Sequence, residues 1–172
     1  SLVQGSQLKL LGDLTFENLF DRKKNTYQIK AKLKQLQSDY GSLTQLIPSI
    51  LGKSLPVELK KFGVMSVSGN VELNYQTLTT DVVVESALGY VESDLVFTGV
   101  SDIENASYQG NLKANNFHLG KLINEPMVQL VTVDAFFDGK GFNPETVNTT
   151  ISGKVNLFEF NNYPYQNISV NG

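Results

Sequence analysis

From Gly69 to Leu88 the chain alternates strictly, with Val71, Leu73 and Tyr75 on one side and Asn70, Glu72 and Asn74 on the other. A polar turn at Gln76-Thr77 follows, and Thr79 to Ser86 is dense in β-branched residues. Successive side chains of a strand project to opposite faces, so this stretch predicts a β-hairpin with one apolar and one polar face. Its opening, glycine–polar–apolar–polar–apolar, recurs at Gly12-Asp-Leu-Thr-Phe, Gly110-Asn-Leu-Lys-Ala and Gly153-Lys-Val-Asn-Leu. The four starts lie 57, 41 and 43 residues apart. That spacing is within or just above the range of repeat architectures, and one unit restated with insertions is the expected plan of the chain.

The remaining pattern is read in the same way. Gln7–Leu11 and Asp13–Leu19 are expected as two strands, and Asp21–Asn25 as a charged turn. Tyr27, Ile29, Ala31 and Leu33 then alternate with Gln28, Lys30, Lys32 and Lys34, a strand whose lysine ladder guards an exposed face. Residues 39–62 break the β pattern. Leu43, Leu46, Ile47, Ile50 and Leu51 recur at steps of three and four, an amphipathic helix with Ser42 as its N-cap, Pro48 as a kink or stop and Gly52 as its C-cap. Ser54–Phe62 restarts as a short helix with Pro56 in its first turn. This element either docks on a membrane surface or partner, or covers the apolar face of the sheet. From Gly63 onward strands are expected at Tyr90–Val100, Ala106–Ala114, Val128–Phe137, Thr146–Phe160 and Gln166–Val170, most of them seven to nine residues long. Asn115–Asn124 reads as a link with a helical turn, Asp138–Pro144 as a loop, and Tyr163-Pro164-Tyr165 as a turn. A parity switch at Phe158 and Phe160 suggests a bulge.

The reading is therefore mainly β: a curled, mostly antiparallel sheet with a short helical element near residues 42–62. Its organisation is N-terminal strands in 1–38, an amphipathic helical insertion in 39–62 and a glycine-led β-repeat region in 63–172. Together these are expected to form one structural unit of a longer repeat protein. Residues 1–61 carry ten Lys/Arg against five Asp/Glu, and residues 62–172 four against twelve. The acidic repeat region argues against nucleic acid as a partner. The chain has no cysteine, hence no disulfide framework and no thiolate chemistry.

Catalysis needs convergent titratable groups. The single histidine, His118, stands in a polar link without a partner motif, and no HExxH, GxSxG, P-loop or paired metal-ligand spacing occurs. Asp138-Gly-Lys-Gly lacks the alternating oxygen ligands of a calcium loop. No enzymatic activity, metal or cofactor is expected. Sequons at Asn105, Asn148 and Asn167 matter only in a secreted eukaryotic protein. What remains is the apolar face, which either closes on its own side chains or stays open and holds acyl chains.

The run YQGNLKANNFHLGKLINEP, then VDAFFDGKGFNPETVNTTISGKV, then YPYQNISVNG resembles the repeat module of TamB proteins from Bacteroidetes-type bacteria, in the wider AsmA-like group. The similarity rests on a glycine-led strand, the link Phe117–Ile123, the loop Asp138–Pro144 and the strand Tyr163–Asn167, in that order. The segment Leu55–Gly63 is similar to one preceding the repeats in that family. The likeness covers roughly residues 40–172.

It implies an open, β-taco-like trough lined by apolar side chains, in a periplasmic protein of a Gram-negative bacterium anchored in the inner membrane. Phospholipid acyl chains and a BamA-family outer-membrane barrel protein are the implied partners, in phospholipid transport and outer-membrane assembly. The fragment itself is expected to be monomeric. Strand parity then nominates the lining. The first hairpin gives Val71, Leu73, Tyr75, Val82 and Val84, and the next two strands give Leu95, Phe97, Leu112 and Ala114. The later strands give Val133, Ala135 and Phe137, then Ile151, Val155 and Leu157. Asp134 must face outward for the lining to be continuous. The rival readings are a structural or adhesive β-repeat spacer with a closed core, and a carbohydrate-binding β-sandwich using Tyr90, Tyr163 and Tyr165.

Overall fold

The structure, a computed structural model, describes residues 2–4, 8–18, 26–51, 57–102, 105–141 and 147–172. Ten strands follow one another: β1 (Leu2–Gln4), β2 (Lys9–Glu17), β3 (Gln28–Ser38), β4 (Met65–Asn74), β5 (Thr77–Ser86), β6 (Gly89–Thr98), β7 (Ser107–His118), β8 (Val128–Lys140), β9 (Asn148–Phe160) and β10 (Tyr163–Asn171). Each pairs antiparallel with the next, so spatial order is chain order. β1 is bonded only to β2 and β10 only to β9, which leaves the sheet open. The described strands form one layer, so the β-sandwich alternative is not the architecture.

Local chemistry explains the register. The Asn74 carboxamide oxygen accepts from the backbone N–H of Gln76 (2.9 Å) and Thr77 (2.8 Å), which fixes the tight turn between β4 and β5. Asn161 (φ 51°) and Asn162 (φ 63°) are both left-handed, the geometry whose twist suits a two-residue hairpin between β9 and β10. The turn is therefore these two asparagines, and Tyr163-Pro164-Tyr165 already belongs to β10. β2 is one strand with a bulge at Leu11/Gly12 rather than two strands. β7 runs on to His118, and β8 reaches Lys140, so Asp138–Lys140 is strand and not loop. Apart from β1 the strands are nine to thirteen residues long, longer than expected.

The helical insertion exists. Helix α1 spans Tyr40–Leu51 and continues through Pro48, and a single 3-10 element covers Val57–Phe62. The cap is Asp39, not Ser42. The Asp39 carboxylate accepts from the Ser42 backbone N–H at 2.8 Å, and the backbone and hydroxyl hydrogen bonds from Ser42 hold its pKa below the ordinary carboxyl value. Gly52 and Pro56 lie outside the described residues, as do Asp21–Asn25 and Phe142–Thr146. Helix α2 (Leu119–Ile123) joins β7 to β8. No helix among the described residues is long and apolar enough to cross a membrane.

Candidate functional site

The cross-strand registers assemble the apolar side chains into four rows running across the sheet from β2 to β9. The first is Leu10, Leu36, Val67, Val84 and Val91, continuing through Ala114, Val133 and Val155 to Ile168. The second runs from Gly12 and Leu33 through Gly69, Val82 and Ser93, then Leu112, Ala135 and Gly153 to Val170. The third is Leu14, Ala31, Val71, Thr80 and Leu95, then Gly110, Phe137 and Ile151. The fourth is Phe16, Ile29, Leu73, Leu78 and Phe97, then Tyr108, Gly139 and Thr149. No charged side chain occurs in any row. The rows lie two residues apart, so together they are ~20 Å wide at ~3.3 Å per residue, and the eight strands that all four rows cross, at ~4.8 Å spacing, extend ~34 Å.

The four sequence-repeat glycines belong to this site. Gly12, Gly69 and Gly153 share the second row and Gly110 stands in the third. A side chain at Gly69 (φ 123°) would place its Cβ 2.1 Å from the Asp81 carbonyl oxygen, and one at Gly110 (φ 142°) 2.0 Å from that of Asp94. Glycine is what lets neighbouring strands approach and the sheet bend mid-strand. The expected repeating unit is corrected by strand direction. β2 and β4 run one way and β7 and β9 the other, so three of the four motif glycines mark a common line across the sheet, with Gly110 one row over, rather than a repeated hairpin.

Thirteen of the fifteen nominated residues share the rows; Tyr75 and Leu157 do not. Tyr75 sits in the β4–β5 turn beyond the fourth row, 38% exposed, close enough to Tyr27 to reinforce the upward pKa shift that burial gives the Tyr27 hydroxyl. Leu157 is on the other face. The irregularity in β9 falls between Val155 and Leu157, earlier than the expected switch at Phe158, so Leu157 pairs with outward Thr132 and Phe158 with inward Val131. Missing from the nomination were apolar row members such as Val67, Leu78 and Val91 and those of β2 and β3, and the hydroxyl-bearing Thr80 and Ser93, which share parity with residues it contains. A search for apolar residues passes over a hydroxyl on the same face.

One end of the strands is covered. Leu88, Ala114, Phe117, Val131, Val133 and Ala135 form a buried cluster against which Phe62 of the 3-10 element and Leu119 and Leu122 of α2 pack. The Phe62 and Phe117 rings are 6.0 Å apart, the Ala87 N–H donates to the Phe62 carbonyl at 3.1 Å, and the Lys61 ammonium donates to the Leu122 carbonyl at 2.6 Å. At the other end, among the described residues, Leu14 is 37% and Phe16 43% exposed on β2, while Ala106 just before β7 is fully buried.

The opposite face is mostly polar, with Leu11, Val96 and Phe136 exposed on it. Asp134 is there as continuity required, 3.6 Å from the Lys113 ammonium and directly across from Lys154. Lys30 pairs with Glu72 at 3.8 Å. The Tyr90 hydroxyl donates to the Glu92 carboxylate at 2.7 Å, which raises the tyrosine pKa. His118 ends β7, and its backbone N–H donates to the Leu88 carbonyl at 2.7 Å. Among the described residues no three His, Asp or Glu side chains are grouped to hold a metal ion. No protein-family model, curated protein or solved structure matches this chain.

Proposed function

We propose that this chain is a non-enzymatic, lipid-handling segment of a TamB/AsmA-like periplasmic bridge, whose trough holds phospholipid acyl chains in transport and outer-membrane assembly. The observation that carries the reading is the uncharged, four-row face on an open, single-layer sheet, most of it partly rather than fully buried. A core closed on itself would bring most of these residues to near-zero exposure; here the buried members of the rows are Leu10, Gly12, Leu33, Val82, Ala114, Val133 and Ala135, and the rest keep part of their surface. An acyl chain about 15 Å long, half of a ~30 Å hydrocarbon layer, fits within the ~20 by ~34 Å face. Burying it is worth roughly 0.8 kcal/mol per methylene. The barrel partner and the periplasmic setting come from the sequence resemblance alone.

The test is native mass spectrometry of the chain purified from a bacterial host, with lipid analysis of the solvent extract. The expected result is near-stoichiometric phospholipid in the wild type, and its loss in Leu73→Glu with the melting curve nearly retained. A lipid-free wild type, or unfolding of Leu73→Glu, would replace this reading with a closed-core spacer.

A further inference from the structure

Only four hydroxyl-bearing residues interrupt the four rows, and they form two hydrogen-bonded pairs. Tyr108 and Thr149 bond to each other across Gly139 in the fourth row. Thr80 and Ser93 lie in the middle of the face, on adjacent strands β5 and β6, with their hydroxyl oxygens 3.1 Å apart. The Thr80 oxygen is also 3.2 Å from the Leu95 carbonyl. Val82, Leu95 and Leu112 stand directly across from them, so this pair is a polar step in an apolar floor.

Resting on the acyl-trough reading above, we infer that the Thr80–Ser93 pair is a binding site for the ester carbonyl of an acylated lipid lying in the trough. The hydrogen-bond inventory supports it. In the empty trough Ser93 donates to Thr80 and Thr80 donates to the Leu95 carbonyl, so both hydroxyl protons are used. When a carbonyl arrives, Thr80 turns its proton to the Ser93 oxygen and Ser93 donates to the ligand. Neither state leaves a hydroxyl proton unpaired: the bond to the ligand replaces the side-chain bond to the Leu95 carbonyl, so the ester oxygen is satisfied and no part-buried donor is orphaned. The carbonyl must be neutral. With no cation in any row, an ionised carboxylate or phosphate at this depth would be desolvated without a partner, whereas an ester flanked by hydrocarbon meets hydroxyl and apolar surface in the right order. The charged headgroup stays outside the rows.

Two fluorescent probes separate this site from the trough itself: the methyl ester of a conjugated polyene fatty acid, and diphenylhexatriene, a hydrocarbon without oxygen. Titrations would use the 172-residue chain, its Ser93→Ala and Thr80→Val variants, and a melting curve for each. Ser93→Ala should weaken the ester about three- to tenfold, the loss of one hydrogen bond, and leave diphenylhexatriene unchanged. Thr80→Val, which keeps the Ser93 donor, should bind the ester at least as well as wild type. If Ser93→Ala shifts both probes equally or neither, the ester site is wrong while the trough stands. If wild type binds neither probe, the trough reading falls and the ester site with it.

Discussion

Ala135 and Phe16 lie on the same face of the same sheet, yet the first is 4% and the second 43% exposed. The difference is not apolarity, since phenylalanine is the greasier of the two. Ala135 belongs to strands β7–β9 near the end where Phe62, Leu119 and Leu122 pack, and Phe16 lies at the far end of β2, where its side chain stays exposed. One region is therefore packed as a protein core and the other is left exposed, although both arise from the same alternation. The covered cluster supplies the stability that lets the rest of the face stay open.

The largest expected effect tests this contrast directly. Phe117→Ala, inside the covered cluster, should cost about 3–5 kcal/mol by chemical denaturation, whereas Phe16→Ala should cost under about 1 kcal/mol. Equal losses would mean that the Phe16 end is core after all. Next comes the glycine line. Gly69→Ala puts a Cβ against the Asp81 carbonyl in a backbone conformation that side chains rarely adopt, and should lose roughly 1–3 kcal/mol. Gly41→Ala, with no neighbour nearer than 3.6 Å, should lose none.

On the polar face, Lys113→Ala removes an ion pair with both side chains about half exposed, and should change stability by no more than about 0.5 kcal/mol. The smallest effect is at Asp39. Its folded-state pKa is lowered, so its contribution is fully present above the ordinary carboxyl range and is lost as pH falls through the lowered value. Amide exchange at the start of α1 should quicken across that acid window in wild type, and Asp39→Asn should flatten the dependence.

Much of the fold was legible. Alternation along β3 to β6 follows from two-residue periodicity, and the β4–β5 turn is read near Gln76-Thr77. The β9–β10 turn is misplaced on Tyr163-Pro164-Tyr165, because nothing but their left-handed backbone marks Asn161-Asn162 as the turn. The helical insertion announced itself by a change of period at Leu43. Boundaries were less legible where a bulge changes parity without any special residue. Nothing in Val155-Asn156-Leu157 tells which side of the irregularity Leu157 takes, because that depends on its pairing with Thr132. Ser42 and Asp39 are both good caps, and only backbone geometry chose Asp39.

By itself the sequence determined that one face would be apolar, that the chain would be β with one helical interruption, and that four glycines would matter. Those are local properties, set by side-chain alternation and backbone freedom. Only the tertiary structure decided that Gly12, Gly69 and Gly153 fall on one line, that Thr80 meets Ser93, and that Phe62 covers Phe117 while Phe16 stays exposed. Each of these joins residues on different elements, and strand register, a sum of turn lengths and bulges, fixes such meetings one ladder at a time.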